Sequence, residues 1–437
     1  MDRTLLLILA GLVSLYLLIF VLTKPYIGIA LTVASLPVID LLPSIPLFSS
    51  IVPLIGLLTL VGYLFKNKQG KSSPALSLNS LHALALLFIL WMFISNPLAA
   101  WSGGDRNWIF TFIQLLILMY LSSELLDTPN KQRAVMAIFS ISAITSAFYA
   151  IQTGQIGQTF DESLRAEGFV DNANAAARFF VVAMVFLTYL RSETKAPIVK
   201  AFYLVGIIVT YLGVFYTVSR TGILLLIGAQ GLILLFQVKG RQRITILLIF
   251  LVSLLLIWFL ADSIFNIIAT IVPIIVNQED TFGLRINLWR SGWEMWLDHP
   301  VRGVGIGMYI KNMGPYSHSL PGPSRWNAVA HNTYIQVLSE TGIVGFVLFM
   351  LMFYTTLKNF WKSPLIIDVE QLALRNAWLI AFIVMLIGGI TKSDHADKLT
   401  WMVMGVSLYF ANQPQPAEEA QPTKPASRFR SISPRRI

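Results

Sequence analysis

The chain has 437 residues, of which 56% are hydrophobic and only 12% are charged. Soluble globular domains carry about 25% charged residues, so this composition excludes an ordinary soluble protein and indicates an integral membrane protein. The formal net charge of +10 fits membrane topology, since Lys and Arg collect in cytoplasmic loops, and we expect membrane lipids and no nucleic acid as partners. The absence of cysteine excludes disulfides, thiol catalysis and cysteine metal sites.

Apolar runs recur along the whole chain, and most of them are long enough to cross about 30 Å of hydrocarbon as an α-helix. None shows the short alternating pattern of an outer-membrane barrel strand. We therefore predict an all-α, polytopic integral membrane protein, and we interpret the first run as a retained anchor. The runs cover about residues 4–22, 26–42, 46–65, 80–99, 107–126, 132–152, 175–190, 198–217, 221–238, 244–270, 333–357, 374–391 and 398–411.

The connections between the runs indicate the orientation of the chain. From residue 66 onward, every basic connection falls on one side if each run spans once, and that side is the cytoplasm. We predict about twelve spans with both termini inside and a non-spanning or broken segment in the Pro-rich stretch 25–53. Residues 1–411 would form one transmembrane domain with its main external loop at 271–331. The basic tail, 412–437, cannot bury apolar area and should be disordered in the cytoplasm.

External loops are usually poor in Lys and Arg, yet the predicted external face carries Arg165, Arg220, Arg285, Arg290, Arg302 and Arg325. A planar guanidinium binds phosphate oxygens in a bidentate way, so several converging arginines would form an anion site. Arg220 should lie at the membrane boundary, because almost no loop separates the runs beside it. The alternative interpretation is that such an arginine only contacts lipid phosphate.

The segment "FGLRINLWRSGWEMWLDHP" predicts an amphipathic helix at the membrane interface, with Ile286, Trp289, Trp293 and Trp296 on one face. The tryptophans alone could be an aromatic-belt anchor. Arg285 should lie at the start of this helix, where the helix N-terminus already favours an anion.

Two other patterns could indicate a phosphate loop or a metal site, but neither is complete, so we expect no cofactor. "GVGIGMY" at residue 303 lacks the preceding strand and the lysine of a P-loop, so a flexible turn is the better interpretation. His299, His318 and His331 lie outside any metal-ligand spacing, so we expect no metal site.

His331 and Asn332 stand where the polar loop meets the apolar run that begins at residue 333. Asn332 is a good N-cap candidate. The positive end of the helix disfavours imidazolium, so His331 should be neutral and able to accept a proton. The alternative is a histidine packed structurally at a helix end. We interpret Glu340, about two turns into the helix, as a structural hydrogen-bonding group.

The strings "HNTYIQVLSETGIVGFVLF", "SRTGILLL", "FGLRINLWRSGWEMWLDHPVRGVGIG" and "RAEGFVDNANAAARFF" resemble the bacterial O-antigen ligase and polymerase superfamily. The resemblance implies a metal-independent, inverting glycosyl transfer on the periplasmic face of the inner membrane. It also implies that His331 is the catalytic base and that Arg220, Arg285 and Arg165 bind the diphosphate of an undecaprenyl-diphosphate-linked glycan. The string "DNANAAA" departs from the Pro-Asn pair that is more usual in the family.

Three functions are compatible with the sequence. The first is a ligase that transfers O-antigen polysaccharide from its carrier to the lipid A core, and the second is a polymerase or other transferase with the same donor. The third is a transporter of an anionic solute, but the spans between 175 and 257 contain almost no carboxylates. Supporting roles in the site could fall to Asn332, Arg290, Arg302 and Glu340.

Overall fold

A computed structural model describes residues 18–42, 51–69, 79–95, 106–154, 166–170, 172–237, 281–317, 328–361 and 369–412, with a few positions between 243 and 251. All regular elements within these ranges are helices, which confirms the all-α prediction. A 3-10 turn, Leu36–Leu41, follows α1. The helices are α1 Pro25–Ala34, α2 Val52–Gln69, α3 Ser80–Ser95, α4 Arg106–Leu125, α5 Pro129–Thr153, α6 Ala173–Glu193, α7 Pro197–Tyr216, α8 Arg220–Phe236, α9 Thr281–Asp298, α10 Met313–Tyr316, α11 Thr333–Trp361, α12 Val369–Gly388 and α13 Lys398–Ala411.

Six of the described helices, α4 to α7, α11 and α12, are long and apolar enough to cross a membrane. They establish a polytopic protein, while the count of twelve spans stays a prediction. The Pro-rich stretch contains α1, which has ten residues and is too short to cross the hydrocarbon. This agrees with the expected broken segment. The first anchor and the basic tail lie almost entirely outside the described residues.

Helix α6 is the centre of the assembly. Its sequence is apolar on all sides, the pattern of a helix that other helices surround. It packs against α5, α7, α8 and α12, and 94% of its most apolar 18-residue stretch is buried. Phe186 of α6 meets Trp378 of α12 edge to face at 4.9 Å between ring centroids. The Trp378 indole in turn donates to the Gln132 side chain at 2.9 Å, so this buried polar group is satisfied.

Helix α7 has the opposite character, since it exposes a stripe of large apolar side chains. A contiguous exposed surface of this kind is unusual in a soluble protein. It is expected for a helix whose outer face contacts lipid. The stripe contains Ile198, Phe202, Val205, Ile208 and Leu212.

Helix α11 is broken at Gly342, which has φ 65° and ψ −171°. The carbonyls of Ser339 and Glu340, which the break leaves without helical partners, accept from the N–H groups of Val304 and Gly305 at 2.9 and 2.8 Å. We call residues 299–309, which supply these donors, the strap. Irregular backbone of this kind is tolerated in a membrane protein where other protein segments satisfy its polar groups. The "GVGIGMY" string is thus a turn, as predicted, and it serves to bind the broken helix.

Two glycines allow the strap and the helix to approach so closely. A Cβ on Gly342 would lie 2.2 Å from the Val301 carbonyl oxygen, and one on Gly303 would lie 2.5 Å from the Glu340 carbonyl carbon. Both glycines also have positive φ, which other residues rarely adopt. The strap and α11 therefore meet backbone to backbone.

The predicted amphipathic helix is α9, and its apolar residues divide between two faces. Leu288 and Met295 are buried against Tyr309 and Met313. Ile286 and Trp293 are 38% and 47% exposed, and they point away from the protein. The outward apolar face thus exists, while its contact with a membrane interface stays a prediction.

Candidate functional site

Four helices begin at the same end of the assembly, each with a polar N-cap side chain. A cap of this kind accepts from backbone N–H groups that have no partner within the helix. The positive ends of four helix dipoles therefore share one region, which favours an anionic ligand there. The caps are Asn172 on α6, Ser219 on α8, Asn332 on α11 and Asp397 on α13.

Direct contacts join these helix ends. The Ser219 hydroxyl donates to the Asn174 side chain at 2.6 Å, which ties α8 to α6. The Thr333 N–H donates to the Gly389 carbonyl at 2.7 Å, which ties α11 to the turn between α12 and α13. The Arg178 side chain of α6 pairs with Asp394 in the same turn. Four capped helix ends and one connecting turn therefore form a single region, which we call the capped end.

His331 lies directly before the cap of α11, and its backbone is in the left-handed region with φ 47°. The Asn332 side chain accepts from the N–H groups of Tyr334 and Ile335 at 2.9 and 3.1 Å, which confirms the predicted N-cap. A non-glycine residue with this φ is strained, and such strain is concentrated at functional sites. The imidazole is half-buried at the capped end, while Asn332 itself is buried.

Arg220 is the first residue of α8 and is exposed at the capped end. Only residues 217–219 separate α8 from α7, so the prediction of almost no loop is confirmed. The connection is tight because Val218 adopts φ 48°. Arg220 therefore projects from a fixed backbone.

Arg285 lies in α9, but the prediction that it stands at the helix start is wrong. The helix begins at Thr281, so Arg285 is in the second turn, beyond the reach of the unpaired N–H groups. Helix α9 packs on α11, where a Cβ added to Gly292 would lie 2.6 Å from the Ile335 side chain. The helix that carries Arg285 thus lies against the first turn after His331.

The remaining predicted arginines have other surroundings. Arg290 is 69% exposed and donates to Glu294 one turn later at 3.0 Å, a surface pair that contributes little energy. Arg302 is exposed on the strap. Arg165 and Arg325 lie outside the described residues.

Glu340 is completely buried in α11. One carboxylate oxygen accepts from the Tyr309 N–H at 3.2 Å and from the Gln336 side chain at 3.0 Å. The first bond joins the strap to α11 and the second lies within α11, which agrees with the structural role that we expected. No group of three or more His, Asp or Glu suitable for a metal ion occurs within the described ranges.

A buried charge cluster at the capped end was not predicted from the sequence. Arg178 of α6, only 2% exposed, forms an ion pair with Asp394 in the turn between α12 and α13. Lys392 also approaches Asp394, at 3.2 Å. Burial raises the pKa of Asp394, but Arg178 and Lys392 outweigh this effect and hold it below its usual value. One signal was available, because an arginine inside an apolar run is unusual.

His395 was also missed, and its environment is apolar. The ring stacks on Trp108 and Phe112, with centroids 5.1 and 5.8 Å away. Neither ring nitrogen has a hydrogen-bond partner among the described residues, and burial lowers the pKa of His395 to about 4. A histidine that is neutral throughout the physiological range and enclosed by aromatic rings serves packing.

Comparison with known proteins identifies one family. The sequence model described as O-antigen ligase matches residues 201–350, from α7 to the middle of α11. The matched segment contains Arg220, Arg285 and His331. No curated protein matches the chain. Residues 201–350 are therefore similar to the O-antigen ligase family, and the match supports the predicted resemblance to the O-antigen ligase and polymerase superfamily.

Proposed function

We propose that this protein is an O-antigen ligase of the bacterial inner membrane. It would transfer a polysaccharide from undecaprenyl diphosphate to a sugar of the lipid A core at the periplasmic face. The observation that carries this proposal is the family match over the segment that holds Arg220, Arg285 and His331. The capped end supports it, because the elements that bear these residues begin or pack there.

In this proposal, His331 accepts the proton of the acceptor hydroxyl. The hydroxyl oxygen forms a bond to the anomeric carbon, and the bond from that carbon to the carrier phosphate breaks in the same displacement, with inversion. A positive helix end disfavours the imidazolium form, which would favour a neutral imidazole before the reaction. A neutral imidazole at the site is the form that acts as a general base.

The leaving group is a diphosphate whose negative charge grows in the transition state. Arg220 and Arg285, with Arg165, would bind its oxygens, and the N-termini of α6, α8 and α11, whose cap side chains are neutral, would add positive potential nearby. Fixed cationic groups of this kind can stabilise the leaving group without a metal ion. This is why we propose a metal-independent transfer.

Two alternatives share part of this chemistry. A polymerase would use the same donor but a second carrier-linked glycan as the acceptor, and the family match fits both. A transporter of an anionic solute would use the cationic groups for binding alone. The family match favours a transferase over the transporter.

The test is reconstitution of the purified protein in proteoliposomes with an undecaprenyl-diphosphate-linked glycan. Lipid A core and a second carrier-linked glycan are offered separately, and the products are separated by size. We expect product only with the lipid A core. Product only with the second glycan would identify a polymerase, and donor uptake without any product would favour the transporter. The same preparation with alanine at position 331 is the control.

Replacement of Arg220 or Arg285 by alanine is expected to raise the KM for the donor about tenfold, equivalent to about 1.4 kcal/mol of lost binding. Lysine at either position should restore only part of this loss, because a point charge cannot form a bidentate contact with phosphate. Steady-state kinetics with varied donor concentration measure the effect. Arg290→Ala is the matched control, since Arg290 already pairs with Glu294 on an exposed surface. An unchanged KM in both alanine variants would contradict the anion site.

A further inference from the structure

Thr333, the first residue of α11, is hydrogen-bonded to the turn between α12 and α13. Its N–H donates to the Gly389 carbonyl at 2.7 Å, and its hydroxyl donates to the Lys392 carbonyl at 2.7 Å. The same hydroxyl accepts from the Asp394 N–H at 2.8 Å. Three hydrogen bonds therefore fix a residue that lies two positions after His331.

Helix α6 holds the turn between α12 and α13 in place. The Asp394 carboxylate pairs with the buried Arg178 guanidinium, and a carboxylate oxygen of Asp397 lies 4.0 Å from the same group. The Arg178 side chain also packs on the backbone, because a Cβ added to Gly388 would lie 2.6 Å from its Cδ. An arginine buried in this way needs its carboxylate partner, so the position of the turn is tied to the central helix.

The conformation of His331 makes this arrangement relevant to function. A residue with φ 47° keeps that conformation only if the surrounding structure enforces it. The Asn332 cap bonds act within α11 itself, whereas the bonds of Thr333 act from other elements. A reacting group displaced by a fraction of an ångström loses much of its rate.

We propose that Arg178, Asp394 and Thr333 form a latch of positioning residues that holds His331 in place for proton transfer. Arg178 of the central helix fixes Asp394, the Asp394 backbone and the Lys392 carbonyl fix the Thr333 hydroxyl, and Thr333 fixes the first turn of α11. The proposal rests on the proposed function for the role of His331. The latch itself is defined by contacts that do not depend on that role.

The first test compares valine and serine at position 333. Valine keeps the shape of threonine and the backbone N–H but loses both hydroxyl bonds, whereas serine keeps the hydroxyl. We expect Thr333→Val to lower kcat about 100-fold with little change in the donor KM, because the base is displaced while donor binding is not. Thr333→Ser should remain close to the parent protein. A merely structural role would lower the yield of folded protein and leave kcat per folded molecule unchanged.

The second test does not depend on activity. The chain has no cysteine, so His331→Cys introduces a unique thiol at the position that the latch controls. The rate at which a membrane-impermeant maleimide alkylates this thiol is measured in the His331→Cys protein. The same rate is then measured in three double variants, in which His331→Cys is combined with Thr333→Ser, Thr333→Val or Asp394→Asn. We expect Val and Asn to raise the rate at least about threefold and Ser to leave it unchanged, since a loosened helix end opens more often. If the Asp394→Asn variant does not fold, the comparison of alkylation rates between Thr333→Val and Thr333→Ser alone tests the latch.

The outcomes separate the latch from the proposed function. Equal alkylation rates in the Val and Ser variants would overturn the latch, whatever His331 does in catalysis. Full transfer activity in the His331→Ala protein, with the alkylation difference still present, would instead overturn the role of His331 as the base.

Discussion

Replacement of His331 by alanine or asparagine is expected to abolish glycosyl transfer and to leave the protein folded. Loss of a general base lowers rates by about 10²–10⁴-fold, and neither replacement can take the acceptor proton at neutral pH. The fold should survive, because the cap bonds of Asn332 and the latch bonds of Thr333 do not involve the imidazole.

Asparagine is the more informative variant of the two. It adopts the left-handed backbone conformation of position 331 more readily than alanine does, so it separates loss of the base from a change in backbone shape. Single-turnover kinetics with a labelled donor measure transfer, and equilibrium binding of the donor lipid measures the site. We expect loss of transfer with near-normal donor binding. Activity near the parent level in the asparagine variant would exclude His331 as the base.

Replacement of Gly342 by alanine is expected to destabilise the protein by at least about 3 kcal/mol, because its φ and ψ lie in a region that is essentially restricted to glycine. The added Cβ would also overlap the Val301 carbonyl oxygen at 2.2 Å. Since the overlapping atoms belong to the backbone, no side-chain rotation relieves the contact. The strap should separate from α11, and α9 with Arg285 should lose its support.

A matched control for this variant lies in α8. Gly228 is helical and has no neighbouring atom within 4 Å of an added Cβ. Gly228→Ala should therefore be neutral or stabilise by up to about 1 kcal/mol, from helix propensity alone. The Gly342→Ala and Gly228→Ala variants are compared by thermal unfolding of the detergent-solubilised proteins. Proteolysis of the strap is a second measurement. Equal midpoints for Gly342→Ala and the parent would contradict the close contact between strap and helix.

Local signals in the sequence predicted two features of the capped end. Asn332 could be recognised as a cap because a short polar residue directly before an apolar run is a local pattern. The tight connection before Arg220 was visible because two apolar runs nearly touch. The all-helical class followed from the length of the apolar runs, although the full number of spans remains a prediction.

Long-range pairing could not be predicted in this way. Arg178 lies inside an apolar run, and its partner Asp394 is more than two hundred residues away in sequence. The break in α11 depends on hydrogen bonds that the Ser339 and Glu340 carbonyls accept from N–H groups of the strap. No local pattern in either segment specifies these bonds. The start of α9 was misplaced because helix ends are the least certain feature of a sequence pattern. The residues that enforce the position of His331 therefore appear only in the folded protein.

The break at Gly342 also separates the exposed apolar part of α11 from the first turns that follow His331. It divides α11 into residues 333–341, tied to the strap and the latch, and residues 343–361, which bond to the strap through the Ile343 N–H and expose Val347, Leu351 and Tyr354. A lipid-facing helix changes its tilt when the hydrocarbon thickness changes. Because the helical geometry is interrupted at Gly342, we expect part of such a change in tilt to be absorbed at the break, so that less of it reaches His331.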